Sequence, residues 1–197
     1  MQSQNTFEST ILDALRLAGV PKRYLQAKPR PDLMSGAYLY GKTGRGKTSA
    51  ACGALRAFVT GHVLEVENTY IYHGPRCRFV NVPQWFSMLK DTYGDRDRSE
   101  REVFERYARC RLLVLDDLGK GVKTEWAVER LYMLLDHRCN ELLPTIITSN
   151  YGLAQVSGML TSDEDTLQAI ASRALDTCDG KGILMEGTDM RKKPRNQ

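Results

Sequence analysis

The chain lacks any apolar run near the ~20 residues that a helix needs to cross a bilayer. Its opening, "MQSQNTFEST", has neither the basic stretch nor the apolar core of a secretion signal. A cytoplasmic location without membrane contact is therefore expected. The five cysteines (Cys52, Cys77, Cys110, Cys139 and Cys178) are scattered, odd in number and never spaced as Cys-x-x-Cys. That pattern argues against a disulfide framework or a zinc site and for reduced thiols. No internal repeat and no low-complexity segment is present. A strong excess of one charge is also missing. Lys and Arg number 28 against 24 Asp and Glu, a net charge of +4, which permits a nucleic-acid partner without demanding one.

What is present suits one globular domain. The 197 residues are 42% hydrophobic and 26% charged, enough for a proper core. Phe7, Ile11, Leu12, Leu15 and Ala18 recur at helical spacing and Gly19 ends the run. "VPKRYLQAKPRPDLMSG" holds three prolines and reads as an irregular connector. Beyond it, strands and helices alternate. "AYLY", "RFVNV", "LLVL", "TIITS" and "GILME" read as strands. The intervening segments read as helices at 46–59, from Pro83 onward, and at 98–109, 124–140, 153–160 and 163–175. The long stretch 62–77 is expected to form a small hairpin. This alternation predicts an α/β fold with a parallel sheet covered on both faces.

"GKTGRGKT" fits the pattern G-x-x-x-x-G-K-[ST] through Gly41, Gly46, Lys47 and Thr48. Glycines at 41, 44 and 46 let the backbone turn its N–H groups inward as an anion-binding nest. The helix that begins there adds the positive end of its dipole. Lys47 is placed to reach the β- and γ-phosphates and Thr48 to ligate Mg²⁺. The expected nucleotide-binding set is Gly41, Lys42, Thr43, Gly44, Arg45, Gly46, Lys47, Thr48 and Ser49, with ATP and Mg²⁺ as ligands. Lys42 and Arg45 sit where the pattern requires nothing and are expected to face solvent.

"RLLVLDDLG" supplies acidic residues at the carboxyl end of an apolar strand, where α/β sheets bind ligands. Asp116 is expected in the Mg²⁺ shell and Asp117 is the candidate base for an attacking water. In "TIITSN", Asn150 follows another buried strand and is a candidate to orient that water.

With these three pieces in order, the chain resembles an AAA+ ATPase, and more narrowly the DnaC/IstB family of helicase loaders and transposition ATPases. Further matching pieces are "AGVPKRY" (18–24), "FVNVPQWFSMLK" (79–90), "PTIITSNY" (144–151), "ASRAL" (171–175) and "EGTDMR" (186–191). The resemblance implies a P-loop NTPase core with five parallel strands in the order 5-1-4-3-2 and no C-terminal helical lid. It divides the chain into a short N-terminal helix and connector (1–35), the core (36–191) and a basic tail (192–197). It places Arg173 as an arginine finger acting in trans within a homo-oligomer, and matches Arg191 without assigning its chemistry.

The resemblance also implies a replicative helicase or a transposase as partner, and DNA held beyond the second core strand. There Lys90, Arg96, Arg98 and Arg101 are candidates for phosphate contact, and Trp85, Phe86 and Tyr93 for base stacking. Trp85, Phe86 and Leu89 also sit at the spacing of a core-facing stripe. The N-terminal helix can dock on a partner or pack on the core. The function expected first is an ATP-hydrolysing replication accessory protein acting on single-stranded DNA and a helicase. The alternatives are an IstB-like ATPase on duplex DNA, or a nucleotide-dependent binding module with little turnover. A small-molecule kinase is disfavoured, because no arginine-rich lid is visible.

Overall fold

A computed structural model describes residues 6–94, 99–119, 124–160, 163–187 and 189. Arg96, Arg98, Arg191 and the 192–197 tail lie outside the described residues. Helix α1 (Phe7–Leu17) starts at Thr6, whose hydroxyl accepts the Ser9 N–H and so satisfies a free end group. Two short 3₁₀ turns, Lys22–Tyr24 and Pro31–Leu33, carry the connector. Strand β1 (Ala37–Tyr40) then leads into α2 (Lys47–Thr60), and the hairpin strands β2 (Val63–Val66) and β3 (Thr69–Tyr72) follow. Next come β4 (Cys77–Asn81), α3 (Val82–Lys90), α4 (Glu100–Ala108) and β5 (Leu112–Leu118). The chain continues through α5 (Glu125–Asn140), β6 (Thr145–Ser149), α6 (Leu153–Leu160), α7 (Glu164–Thr177) and β7 (Gly182–Leu184).

The main sheet has five strands in the order β4-β5-β6-β1-β7, with every pair parallel. Numbered within the sheet alone, this is the expected 5-1-4-3-2 read from the other edge. Its centre is dry on both sides. Leu113 and Leu115 of β5 face the cluster built with α3, α4, α5 and α7. Leu112 and Val114 face the cluster built with α1 and α2. All four are 0% exposed, each contributing about 1.5–3 kcal/mol of burial.

Helix α1 packs on the core. Ile11 and Leu15 share a cluster with Leu55 and Val59 of α2. Phe7 departs from expectation. It is 41% exposed and meets Tyr70 of β3 edge-on at 5.5 Å. The expected hairpin forms, with Glu67 and Asn68 both at positive φ (49° and 60°), the signature of a tight turn matched to strand twist.

Arg138 of α5 is 0% exposed. Its guanidinium donates to the carbonyls of Tyr107 and Ala108 at the end of α4, to those of Cys110 and Pro144, and to the Thr145 hydroxyl. It thereby satisfies end carbonyls that the helix cannot. The thiols of Cys77 and Cys178 are pushed up to about 12 by burial, which keeps them protonated and unreactive. All five cysteines are free. No helix among the described residues is long and apolar enough to cross a membrane.

Candidate nucleotide site

The loop between β1 and α2 turns through three glycines at positive φ, Gly41 (134°), Gly44 (86°) and Gly46 (81°). Gly41 excludes a side chain for a further reason, because a Cβ there would lie 2.6 Å from the Met185 carbonyl, whereas one on Gly44 would meet only the movable end of the Asp189 side chain. Gly46 is the N-cap of α2, so the loop delivers its N–H groups to the start of a 14-residue helix.

Lys47 is buried, at 6% exposure. Its ammonium donates to the carbonyls of Gly41 (2.7 Å) and Lys42 (3.0 Å) and to Asn150 Oδ1 (3.0 Å). Thr48 donates its hydroxyl to Asp116 Oδ1 at 2.8 Å. Thr148 donates to the same oxygen at 2.7 Å, and its own hydroxyl accepts the Asp117 N–H at 2.9 Å. Burial pushes the Asp116 carboxyl above its ordinary value, against hydrogen bonds from Thr148, Thr48 and Asn81 that favour the charged form.

Strand β5 runs on through the acidic pair instead of stopping before it. Its pairing with β6 is irregular between Leu115 and Leu118, and Asp117 has φ 63°. In a regular strand, neighbouring residues point to opposite faces. The bulge and left-handed backbone break that alternation, and Asp116 and Asp117 line one cleft.

That cleft, of about 440 Å³, is lined by Thr43 to Ser49, Asp116, Asp117 and Asn150 together. The three sequence motifs therefore converge on one place. Gly41 and Lys42 contribute carbonyls behind the cleft instead of lining it. Lys42 is exposed as expected, whereas Arg45 is half-buried and lines the cleft, a correction to its expected solvent-facing position.

Sequence reasoning missed other lining residues. Pro21, Arg23 and Tyr24 border the cleft, with the Arg23 guanidinium 5.8 Å from the Tyr24 ring centre. Their motif, "AGVPKRY", was visible but carried no chemistry by itself. Asn81 and Gln84 also line it. Thr148 lay within "TIITSN", but a threonine inside an apolar strand gives no signal until its partner is known.

The pairing of Thr48 and Asp116 offers two hard oxygen ligands beside the N-terminus of α2, and this suits Mg²⁺, which keeps much of its shell from water and phosphate. Among the described residues no group of three or more His, Cys, Asp or Glu side chains stands ready to hold a metal.

Arg173 is not among the residues lining this cleft. It lies on α7, where its Nε donates to Asp136 Oδ1 on α5 and its guanidinium sits 4.8 Å from the Tyr132 ring centre.

The expected DNA segment is corrected in part. Trp85 is 0% and Phe86 5% exposed, so neither can stack on a base. The apolar spacing of α3 serves the core. Tyr93 is 59% exposed and lies 6.2 Å from Trp126, which also carries Lys90 at 5.3 Å and Arg130 at 5.9 Å. Trp126, at the start of α5, was not foreseen as part of this patch. Arg101 is exposed and paired with Glu105.

Comparison with known proteins bears on the family and the fold. The replicative helicase loader DnaI of Bacillus subtilis (strain 168) is 30% identical over 117 residues. That match spans 59% of this chain and 33% of that protein, so the chain corresponds to about a third of its length. A crystal structure of DnaI superposes with a TM-score of 0.61 at 23% identity, covering 91% of this chain and 84% of that one. A crystal structure of the DnaC helicase loader gives 0.61 at 22% identity, covering 84% and 100%. The fold is therefore the α/β P-loop core of AAA+ proteins. The family described as IstB-like ATP binding protein matches residues 34–197, and the chain belongs to that family.

Proposed function

We propose that the chain hydrolyses ATP to ADP and phosphate and acts as a replication accessory protein of the helicase-loader kind, on single-stranded DNA and a helicase. The observation that carries this reading is the convergence of Lys47, Thr48, Asp116, Asp117 and Asn150 on one cleft at the carboxyl ends of the strands. Lys47 brings a buried positive charge to the β- and γ-phosphates. Asp117 accepts the proton of the attacking water, and Asn150 orients that water. Thr48 and Asp116 hold Mg²⁺, which supplies neutralisation of the phosphate oxygens when bound. Pro21, Arg23 and Tyr24 border the end of the cleft and offer the base a ring and a guanidinium plane. Arg173 acts on the neighbouring protomer's nucleotide in a homo-oligomer, coupling turnover to assembly.

The DNA reading is supported by the patch in which exposed Lys90 and Tyr93 meet half-buried Trp126 and Arg130, combining cations with aromatic rings. The name of the Bacillus relative supports the helicase as partner. One observation favours a second reading. The matched family is the IstB-like one, which fits an ATPase of mobile elements acting on duplex DNA with a transposase.

Phosphate release with no DNA, with single strands and with duplex separates these readings. Wild-type chain should turn over ATP, and Lys47→Ala should lose that turnover. Stimulation by single strands favours the loader, and stimulation by duplex favours the second reading. Equal rates for wild type and Lys47→Ala would overturn the ATPase assignment.

A further inference from the structure

Four arginines meet at the opposite end of the sheet from the nucleotide cleft. Arg76 and Arg78 flank the start of β4, and Arg106 and Arg109 belong to the last turn of α4 and its C-cap. With Glu102 and Glu105 they line a cavity of about 400 Å³. The cleft residue Asn81 ends the same strand that Cys77 begins, so about 13 Å of β4 separate the two places.

The charges here are poorly compensated. Glu105 is engaged by Arg101 at 2.8 Å and reaches Arg109 only at 3.6 Å. Arg76 and Arg106 are exposed and form no ion pair among the described residues. Arg78 donates one N–H to the Leu17 carbonyl, while its buried Nε has no partner among the described residues. A buried donor left unsatisfied is rare and costly in a folded protein. Crowded cations of this kind are tolerated where an anion joins them.

Three of the arginines also line a second cavity of about 380 Å³, which continues over Tyr72 and Leu17. Leu17 is 78% exposed. The trough therefore joins a guanidinium cluster to an aromatic and apolar floor. That is the chemistry of a nucleic-acid strand, with phosphates on the arginines and sugar or base against the floor. An acidic peptide would share the charge, but the arginines' planar forks and the adjoining tyrosine favour the phosphodiester.

We propose that this trough is a second nucleic-acid contact, gripping the phosphodiester backbone of a single strand at a place that nucleotide binding does not occlude. It deepens the DNA reading given above, and its failure is separable from failure of that reading. It lies apart from the patch at Lys90 and Tyr93. Helix α4 spans the distance between them, because Glu100 at its start bonds Arg130 of that patch while Arg106 and Arg109 close its other end.

The test is fluorescence anisotropy of a labelled 30-nucleotide oligo(dT) strand against salt, in saturating ADP so that the phosphate loop is filled. Three proteins are compared, namely wild type, Arg106→Gln/Arg109→Gln and Lys90→Gln/Tyr93→Ala. The arginine variant should bind at least about tenfold more weakly, as expected from losing two charged hydrogen bonds. Its slope of log affinity on log salt should be shallower by about 1.4, the share of two phosphates on a single strand. Its ATP hydrolysis and melting temperature should stay at wild-type values. Wild-type affinity and slope in the arginine variant, with binding lost in the Lys90 and Tyr93 variant, would overturn the second contact alone. No binding by the wild-type chain would overturn both.

Discussion

Lys47 Nζ lies 3.0 Å from Asn150 Oδ1, which ties the phosphate loop to the end of β6 across the cleft. The bond joins two motifs more than a hundred residues apart in sequence, and the order of strands brings them together. β1 and β6 are direct neighbours in the sheet, so the segments that follow them open on the same side.

Removing that bond should slow chemistry more than binding. Asn150→Ala is expected to lower kcat for ATP by about 10²-fold, the usual loss for one preorganised polar group, with the ATP Kd within about threefold of wild type. Steady-state kinetics alongside calorimetric titration checks this. An unchanged kcat would reduce Asn150 to a turn residue.

Asp116 carries a cost that its replacement should reveal. Its carboxyl is buried and shifted up, chiefly by desolvation. A carboxyl whose pKa is higher folded than unfolded binds more protons in the native state. Its charged form therefore opposes folding above that raised value, and the opposition fades as pH falls through it. Asp116→Asn should raise the melting temperature near pH 7 by about 2–4 °C while abolishing the gain in ATP affinity that Mg²⁺ gives. In the wild type, that Mg²⁺-dependent gain should shrink at acid pH as Asp116 takes up a proton. Differential scanning fluorimetry and titrations with and without Mg²⁺ read both effects. A lower melting temperature together with intact Mg²⁺ dependence would contradict this role.

Arg173 and Asp136 separate a trans-acting arginine from a local brace. Arg173 is bonded to Asp136 within its own chain. Arg173→Ala is expected to lose turnover at concentrations where the chain assembles while keeping nucleotide affinity. Asp136→Ala, which removes the acceptor and frees the guanidinium, should keep turnover. Equal losses in both variants, matched by equal falls in melting temperature, would mean that the pair only joins α5 to α7.

Arg138 is the strongest single stability prediction. Arg138→Met keeps the bulk but leaves several buried carbonyls without donors, so a loss of about 3–5 kcal/mol is expected. Urea denaturation measures it. A loss below ~1 kcal/mol would show that water or a shifted backbone replaces the guanidinium.

Much of this was readable from residues alone, for a physical reason. Leu112 to Leu115 form a continuous apolar run because both faces of β5 are covered, and Gly41, Gly44 and Gly46 mark where the backbone must adopt positive φ. Local chemistry of that kind leaves local traces. The bulge that turns Asp117 beside Asp116 leaves none, since an Asp-Asp pair reads the same in a regular strand. Thr148 was equally hidden, because its value lies in reaching a carboxylate on the neighbouring strand. Trp85 and Phe86 carried two meanings at one spacing, and burial resolved them as core. The edge-on contact of Tyr93 with Trp126 needed the end of α3 beside the start of α5, which no periodicity announces.

The central claim is that Asp117 activates water against a triphosphate held by Lys47. The most direct measurement is phosphate release from saturating Mg²⁺-ATP by wild type and Asp117→Asn, with ATP binding to each followed by calorimetry. The account predicts that the variant binds ATP within about threefold of wild type and releases phosphate at least ~100-fold more slowly. Equal release rates, or no heat of ATP binding to either protein, would contradict it.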